Sequence, residues 1–202
     1  GRERTAFSSR VWQGRDNMAK TDLRSMDSAE LEQFIIEMGE PGFRAKQLFE
    51  WIHGKHAADF DEMTNLPKTL REKLESTAKL PRTEVVRKLV SQKDGTRKYL
   101  FALENGSVIE SVLMKYEYGN TVCISTQAGC RMGCQFCAST LDGVERSLTA
   151  GEMLSQVYEI QKDCGERVSG VVLMGSGEPL DNYENVLKFL RLINDRKGQN
   201  MG

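Results

Sequence analysis

The order strand, loop, helix occurs twice after residue 119, and it constrains the fold more than any other feature of the chain. Largely apolar runs over 121–125 and 168–174 have the length of buried strands, and helical periodicity follows them, to about residue 163 and over about 183–194. Thr149 and Glu152 have the spacing of a capping box, which marks the start of the first helix. Strands that alternate with helices pair in parallel, so this region predicts the beginning of a parallel α/β fold.

The residues before this region predict a helical unit followed by an antiparallel meander. Apolar residues recur at helical spacing in three short segments, the first opening at the capping pair Asp27 and Glu30 and the third near Pro67. The period then changes to two, with turn signals at 94–95 and 105–106. These patterns divide the chain into a disordered tail over 1–24, a helical accessory domain over 25–80, a β-hairpin linker over 81–119 and the α/β region over 120–202.

The composition is that of a globular protein, with 39% hydrophobic and 28% charged residues in 202. No apolar run approaches the ~18 residues of a membrane span, and the N-terminus lacks the apolar segment of a signal peptide. We therefore expect a cytoplasmic protein without a membrane segment. Two strand–helix units cannot close a barrel or cover a parallel sheet, so we also expect this chain to be part of a longer protein.

The net charge of −1 gives no global signal for nucleic-acid binding, but one region is locally basic. Residues 81–100 hold six basic side chains against only Glu84 and Asp94. The basic residues are Arg82, Arg87, Lys88, Lys93, Arg97 and Lys98. This pattern is compatible with a strand pair that lies along a phosphate backbone, and equally with an ordinary solvated hairpin.

Three cysteines, Cys130, Cys134 and Cys137, lie in the loop after the first α/β strand with the spacing CxxxCxxC. Three of the five cysteines within eight residues favour a metal site over a disulfide framework. Three thiolates are one fewer than the four that usually hold a 4Fe-4S cluster, so one iron would stay open to a ligand. A zinc site with Cys123 as the fourth ligand, or three free thiols, are the alternatives.

A second loop, 175–179, follows the next predicted strand and contains Gly177 and Glu178. Ligand sites in parallel α/β folds lie at the carboxyl ends of the strands. Glycine lets the backbone approach a ligand closely, and a glutamate held in a turn can direct its carboxylate toward an ammonium group. One strand–helix unit after a three-cysteine loop, this turn predicts a cofactor contact.

Cys123 and Glu110 have two interpretations each, whereas the other polar and thiol candidates have one. Cys123 either packs in its strand or acts as a reactive thiol beside the metal loop. Glu110 either shares an apolar face, as a general base often does, or lies on a solvated face while its neighbours point inward. Cys164 has the helical spacing of a core residue, whereas His53 and His56 are expected to cap or decorate a helix end.

Together these motifs resemble the radical S-adenosylmethionine superfamily. An aromatic residue, Phe136, precedes the last cysteine of the loop, and Gly177-Glu178-Pro179 follows one strand–helix unit later. The segments 41–52, 121–130 and 174–180 extend the resemblance to the bacterial dual-specificity methyltransferases that modify carbon 2 of adenine in 23S rRNA and tRNA. The resemblance covers the chain from about residue 25 to its end.

The resemblance implies a fold and a set of site residues. The fold would be α/β with an N-terminal all-α domain that binds RNA, an antiparallel β meander and the first two βα units of a partial (β/α)6 barrel. Cys130, Cys134 and Cys137 would ligate a 4Fe-4S cluster whose open iron chelates the amino and carboxylate groups of S-adenosylmethionine. Gly177 and Glu178 match the residues that contact this cofactor.

The implied reaction uses a methyl group carried on a cysteine, from which a 5′-deoxyadenosyl radical removes hydrogen before the carbon adds to adenine. Glu110 matches the base that then removes the ring proton, and Cys123 matches the thiol that releases the product by forming a disulfide. The implied partners are 23S rRNA, tRNA and an external electron donor such as a flavodoxin, and the full-length protein would be a monomer.

Two departures from the family pattern qualify this expectation. Ser176 stands where the family usually has methionine, and the methyl-carrying cysteine of the family lies beyond residue 202, with Cys164 unable to replace it by position. We therefore expect this chain alone to be incompetent for full turnover. The alternatives are the sister methyltransferase of adenine carbon 8 and a non-catalytic iron–sulfur RNA-binding module.

Overall fold

The computed structural model describes residues 20–201 as five helices and nine strands, apart from short turns of other helix types. The helices are α1 (Ser28–Glu37), α2 (Arg44–Phe49), α3 (Lys68–Thr77), α4 (Ala150–Cys164) and α5 (Tyr183–Ile193). The strands are β1 (Thr21–Asp22), β2 (Ala78–Lys79), β3 (Glu84–Val90), β4 (Arg97–Ala102), β5 (Val108–Tyr116), β6 (Gly119–Cys123), β7 (Gln127–Gly129), β8 (Val144–Ser147) and β9 (Val168–Val172). Over residues 20–201, no helix has the length and apolar character needed to cross a membrane.

Five strands form one mixed sheet in the order β3–β4–β5–β6–β9. The pairs from β3 to β6 are antiparallel, whereas β6 and β9 are parallel and α4 lies between them in the chain. A parallel pair needs such a crossover, so the predicted α/β class is confirmed as an α/β fold with a mixed sheet. The strands of the region predicted as a β-hairpin linker over 81–119 are continuous with this sheet, because β5 pairs with β6 along its C-terminal half.

The N-terminal helices begin and end where local chemistry predicts. The Asp27 carboxylate accepts from the backbone N–H of Ala29 and Glu30, and the Glu30 carboxylate accepts from the N–H of Asp27. α3 begins directly after Pro67, and α2 continues into a π-helical turn over Glu50–Gly54. Most of the apolar positions that predicted these helices are buried in the core: Leu31, Ile35, Ala45, Leu48, Phe49, Ile52, Leu66, Leu70 and Leu74. Phe34 and Met38, which also predicted the first helix, are partly buried and pack against this core.

The two faces of the main sheet differ in burial. One face belongs to the same core as the helices and carries Tyr99, Phe101, Ile109, Leu113 and Val122. The other face is half-exposed, with the alternate residues of β5 and β6 directed to it. β6 and β9 run parallel, so the loops that follow them leave the sheet at the same edge, beside this half-exposed face.

Residues 20–24 are ordered, which differs from the tail predicted over 1–24; residues 1–19 lie outside the described residues. β1 pairs in parallel with β2, and Leu23 and Arg24 are buried. The Arg24 guanidinium donates to the carbonyls of Ala57 and Pro81 and to the hydroxyl of Ser155, at 2.6–2.8 Å. A two-residue strand and one buried arginine produce no periodicity, so the sequence pattern does not reveal them.

The sequence interpretation expected the two histidines to cap or decorate a helix end, but the structure places them against α4. His53 is fully buried, and its Nδ1 lies 2.9 Å from the hydroxyl of Tyr158 on α4, while the ring of His56 stacks on Tyr158. Burial, together with the charge of Arg24, lowers the pKa of His53 to about 3 and that of His56 to about 4. Both rings are therefore neutral in the folded chain at physiological pH.

Acidification from pH 7 to about pH 5.5 is expected to lower the free energy of unfolding by about 1 kcal/mol through His53 and by a similar amount through His56. In the unfolded chain the two rings titrate near pH 6.5. Below that pH the unfolded state binds protons that the folded state does not bind, which favours unfolding. Urea denaturation at several pH values measures the effect. The variant His53→Gln serves as the control, and a slope as steep in that variant as in the parent chain would contradict the assignment.

The basic strand pair is only partly free to bind phosphate. β3 is the edge of the sheet and is exposed along its whole length. Four of the six basic side chains pair with carboxylates: Lys88 and Arg97 with Asp163, Lys98 with Glu110, and Arg82 with Asp59. The structure therefore favours the solvated-hairpin interpretation for these four side chains.

Candidate cluster and cofactor site

The loops after β6 and β9 are joined by backbone hydrogen bonds at the carboxyl ends of these parallel strands. The N–H groups of Thr126 and Gln127 both donate to the carbonyl of Ser176, and the N–H of Gly175 donates to the carbonyl of Ile124. The N–H of Ser176 also donates to the Ser125 hydroxyl. These bonds fix the glycine–glutamate turn beside the segment that leads into the cysteine loop.

The cysteine loop begins after β7 and ends before β8. These two strands form a short antiparallel pair that the sequence pattern did not predict. The close approach of these strands requires glycine at Gly129, where φ is +74° and a Cβ atom would lie 2.1 Å from the carbonyl oxygen of Gly143. Inside the loop, the N–H of Cys137 donates to the carbonyl of Cys134, which forms a turn. The three cysteines thus lie on one short loop with a fixed base.

The donor set of this loop suits an iron–sulfur cluster. All five cysteines are free thiols, and of the three in the loop Cys130 is buried, Cys137 is half-buried and Cys134 is exposed. In the part of the chain that the structure describes, no three side chains of His, Cys, Asp or Glu are close enough together to hold a metal ion as placed. Soft thiolates on an exposed loop nevertheless match the ligands that such clusters take.

The glycine–glutamate turn is in close contact with β7. Gly177 has φ +100°, and a Cβ atom there would lie 2.6 Å from Cβ and 2.7 Å from the backbone nitrogen of Gln127. The N–H of Glu178 donates to Oε1 of Gln127, and Oε1 of Glu178 accepts from the N–H of Leu180. Glu178 therefore caps the 3-10 turn Pro179–Asn182 and is held at the edge of the site.

Glu110 and Cys123 lie on the same open face of the sheet. Cys123 is opposite Val112 in the β5–β6 ladder, and Glu110 is two residues from Val112 along β5, so both side chains point the same way. Ile109 and Leu113 point into the core, which decides between the two interpretations of β5: Glu110 is on the half-exposed face, and Lys98 contacts its carboxylate at 2.8 Å.

The Cys123 thiol is half-buried, as expected for a residue at the end of a strand. Burial raises the pKa of this thiol, and the opposing contribution comes from the backbone N–H of Met174. The thiol form of Cys123 therefore dominates at neutral pH. Cys164, predicted as a core residue, packs partly buried against the core on α4, away from the loop.

Sequence reasoning missed Gln127, Arg131 and Asp181, which connect the two loops. Gln127 is fully buried and makes three side-chain hydrogen bonds, one of them to Asp181, and Arg131 forms an ion pair with Asp181. The sequence signal for Gln127 is its position shortly after an apolar run that has the length of a buried strand. A long polar side chain that is buried there needs hydrogen-bond partners, and this predicts contacts to neighbouring loops.

Comparisons with known proteins identify relatives of the chain. Residues 21–80 match the family model described as the ribosomal RNA large subunit methyltransferase N-terminal domain. A Lachnospira eligens protein named probable dual-specificity RNA methyltransferase RlmN is 56% identical over 90% of this chain and 52% of its own length. A Clostridium novyi protein of the same name is 55% identical over 86% of this chain and 50% of its own length.

A solved structure supports the same relationship. The crystal structure of a radical SAM methyltransferase from Sphaerobacter thermophilus is 41% identical, with a TM-score of 0.83, over 90% of this chain and 54% of that one. The resemblance inferred from the sequence motifs is therefore confirmed. The chain spans about half the length of the curated relatives that it matches.

Proposed function

Because the chain shares sequence and fold with radical S-adenosylmethionine RNA methyltransferases, we propose that it carries the cluster and cofactor sites of such an enzyme. The enzyme would methylate carbon 2 of adenine in 23S rRNA and tRNA, in the cytoplasm. One observation carries the proposal: a three-cysteine loop and the Gly177-Glu178 turn are joined at the carboxyl ends of two adjacent parallel strands. That edge is where α/β folds bind their ligands.

In this proposal Cys130, Cys134 and Cys137 hold a 4Fe-4S cluster. Such a cluster, when bound, supplies the electron that cleaves S-adenosylmethionine to a 5′-deoxyadenosyl radical. Gly177 lets the turn lie against Gln127 of β7, and Glu178, held by this turn, would present a carboxylate to the amino group of the cofactor. Three protein thiolates would leave one iron of the cluster available to the amino and carboxylate groups of S-adenosylmethionine.

Glu110 and Cys123 would act on the adenine ring from the open face of the sheet. Lys98 contacts the Glu110 carboxylate at 2.8 Å, and this carboxylate would accept the proton from carbon 2. Cys123 would release the methylated base from its covalent adduct by forming a disulfide with the cysteine that carried the methyl group. In the folded chain Cys123 is a thiol, so it must lose its proton at that step.

The proposal also assigns roles to the rest of the chain. Strands β6 and β9 with α4 and α5 would be the first two units of a partial (β/α)6 barrel, with β3 to β5 leading into it. The helical unit over 25–80 would bind RNA, and an external donor such as a flavodoxin would reduce the cluster. The full-length protein would act as a monomer.

A chimaera tests this proposal. This chain replaces the matching half of the Lachnospira eligens relative, and mass spectrometry identifies the methylated adenosine in 23S rRNA and tRNA. We expect 2-methyladenosine from the chimaera and none from its Cys134→Ala variant, while Cys164→Ala, which changes a cysteine outside the loop, leaves the product in place. Appearance of 8-methyladenosine would assign the chain to the sister reaction. A chimaera that binds iron and RNA but forms no product would favour a non-catalytic module.

A further inference from the structure

Gln127 connects three elements of the site through a single buried side chain. Its Nε2 donates to Oδ2 of Asp181 at 2.8 Å and to the hydroxyl of Ser147 on β8, and its Oε1 accepts from the N–H of Glu178 at 3.0 Å. The side chain is fully buried and also lies directly beneath Gly177. Its position therefore fixes the turn that carries Gly177 and Glu178 with respect to the cysteine loop.

Asp181 extends this connection to the loop itself. The same oxygen, Oδ2, that accepts from Gln127 also contacts Nε of Arg131 at 2.8 Å. Arg131 directly follows Cys130 in the chain. Asp181 lies three residues after Glu178, and its backbone N–H donates to the Glu178 carbonyl. One carboxylate oxygen thus joins the residue beside a proposed cluster ligand to the turn that contacts the proposed cofactor.

The energetics of this ion pair suggest that it contributes more to position than to stability. The Arg131 side chain is 60% exposed and that of Asp181 is 20% exposed. A pair this exposed contributes at most about 1 kcal/mol to folding. Its geometric effect is larger, because side chains that orient the ligands of a metal site typically alter affinity or activity by about 10- to 100-fold when replaced.

We propose that Asp181 is a positioning residue that, through Arg131 and Gln127, aligns the cysteine loop with the Gly177-Glu178 turn for binding of S-adenosylmethionine. This inference rests on the proposed function and adds to it the side chains that set the relative position of the two loops. Asp181 and Arg131 act through one contact, so their effects on cofactor affinity are coupled and do not add.

Cofactor binding to the cluster-loaded chain tests the inference. The 202-residue chain is loaded with iron and sulfide without oxygen, and the Kd for S-adenosylmethionine is measured by equilibrium dialysis, with iron content and thermal unfolding recorded in parallel. We expect Asp181→Asn and Arg131→Gln each to raise the Kd about tenfold, and the double variant to raise it no further. Arg131→Lys keeps the charge and restores much of the affinity. Asp142→Asn removes an exposed carboxylate from the same loop and leaves the Kd unchanged.

Three results would overturn the inference. A Kd that Asp181→Asn leaves at the parent value removes any positioning role. A large effect of Arg131→Gln that adds to that of Asp181→Asn shows that Arg131 contacts the cofactor directly. A lower iron content or unfolding temperature in Asp181→Asn assigns the residue to folding. Failure of the parent chain itself to bind iron and S-adenosylmethionine is a different result, since it counts against the proposed function.

Discussion

Replacing Arg24 with alanine is expected to lower the free energy of unfolding by about 3 to 5 kcal/mol. The side chain is 2% exposed, and its guanidinium joins the N-terminal segment to the carbonyl of Ala57 and to Ser155 on α4. The substitution leaves a cavity where the long side chain packed, and it deprives the Ala57 carbonyl of its donor. Urea denaturation of the chain measures the loss.

Two further variants separate the causes of this loss. Arg24→Met keeps most of the volume, so it should cost only the hydrogen-bond share of about 1 to 3 kcal/mol. Arg87→Ala, on the exposed strand β3, should change stability by no more than about 0.5 kcal/mol. If Arg24→Ala cost no more than Arg87→Ala, the buried guanidinium would not hold the helical unit against α4.

Replacing Gly177 with alanine is expected to weaken S-adenosylmethionine binding roughly 100-fold, because the turn has to move away from β7. The new Cβ would overlap the side chain and the backbone nitrogen of Gln127, at 2.6 and 2.7 Å, in a residue whose φ of +100° already disfavours any side chain. Displacement of the turn carries Glu178 with it. Equilibrium dialysis with the cluster-loaded chain measures the change.

Gly106→Ala is the matched control for this substitution. Gly106 has φ +90°, but no atom lies within 4 Å of the position that its Cβ would take. It therefore has the same conformational cost, about 1 to 2 kcal/mol of stability, without the overlap. Equal loss of cofactor affinity in the two variants would show that backbone strain alone, and not contact with Gln127, explains the effect of Gly177→Ala.

The features that the sequence predicts well are those set by neighbouring residues. The capping boxes at Asp27 and Thr149 form as predicted, and each defines the start of its helix through hydrogen bonds within four residues. The alternation of strands and helices likewise predicts the parallel pair β6 and β9, after which the cysteine loop and the Gly177-Glu178 turn lie. Local chemistry and the alternation of strands and helices were sufficient for these elements.

The features that the sequence did not predict depend on contacts between distant residues. His53 is buried by a helix more than one hundred positions away, and the partners of Arg24 come from three separate segments. Gln127 shows no pattern of its own, since its role is defined by Ser147, Glu178 and Asp181. The face on which Glu110 lies was left open because alternation within one strand identifies two faces without saying which one is covered.

The contacts that join the N-terminal segment to α4 also determine when this molecule can complete its fold during synthesis. The bond between Arg24 and Ser155 spans 131 residues, and the bond from the N–H of Gly151 to the hydroxyl of Ser25 spans 126. A ribosome adds about 5 to 20 residues each second, so α4 is synthesised on the order of ten seconds after the N-terminal segment that it contacts. Throughout that interval the surface around Arg24 and His53 lacks α4, the helix that covers it in the folded chain.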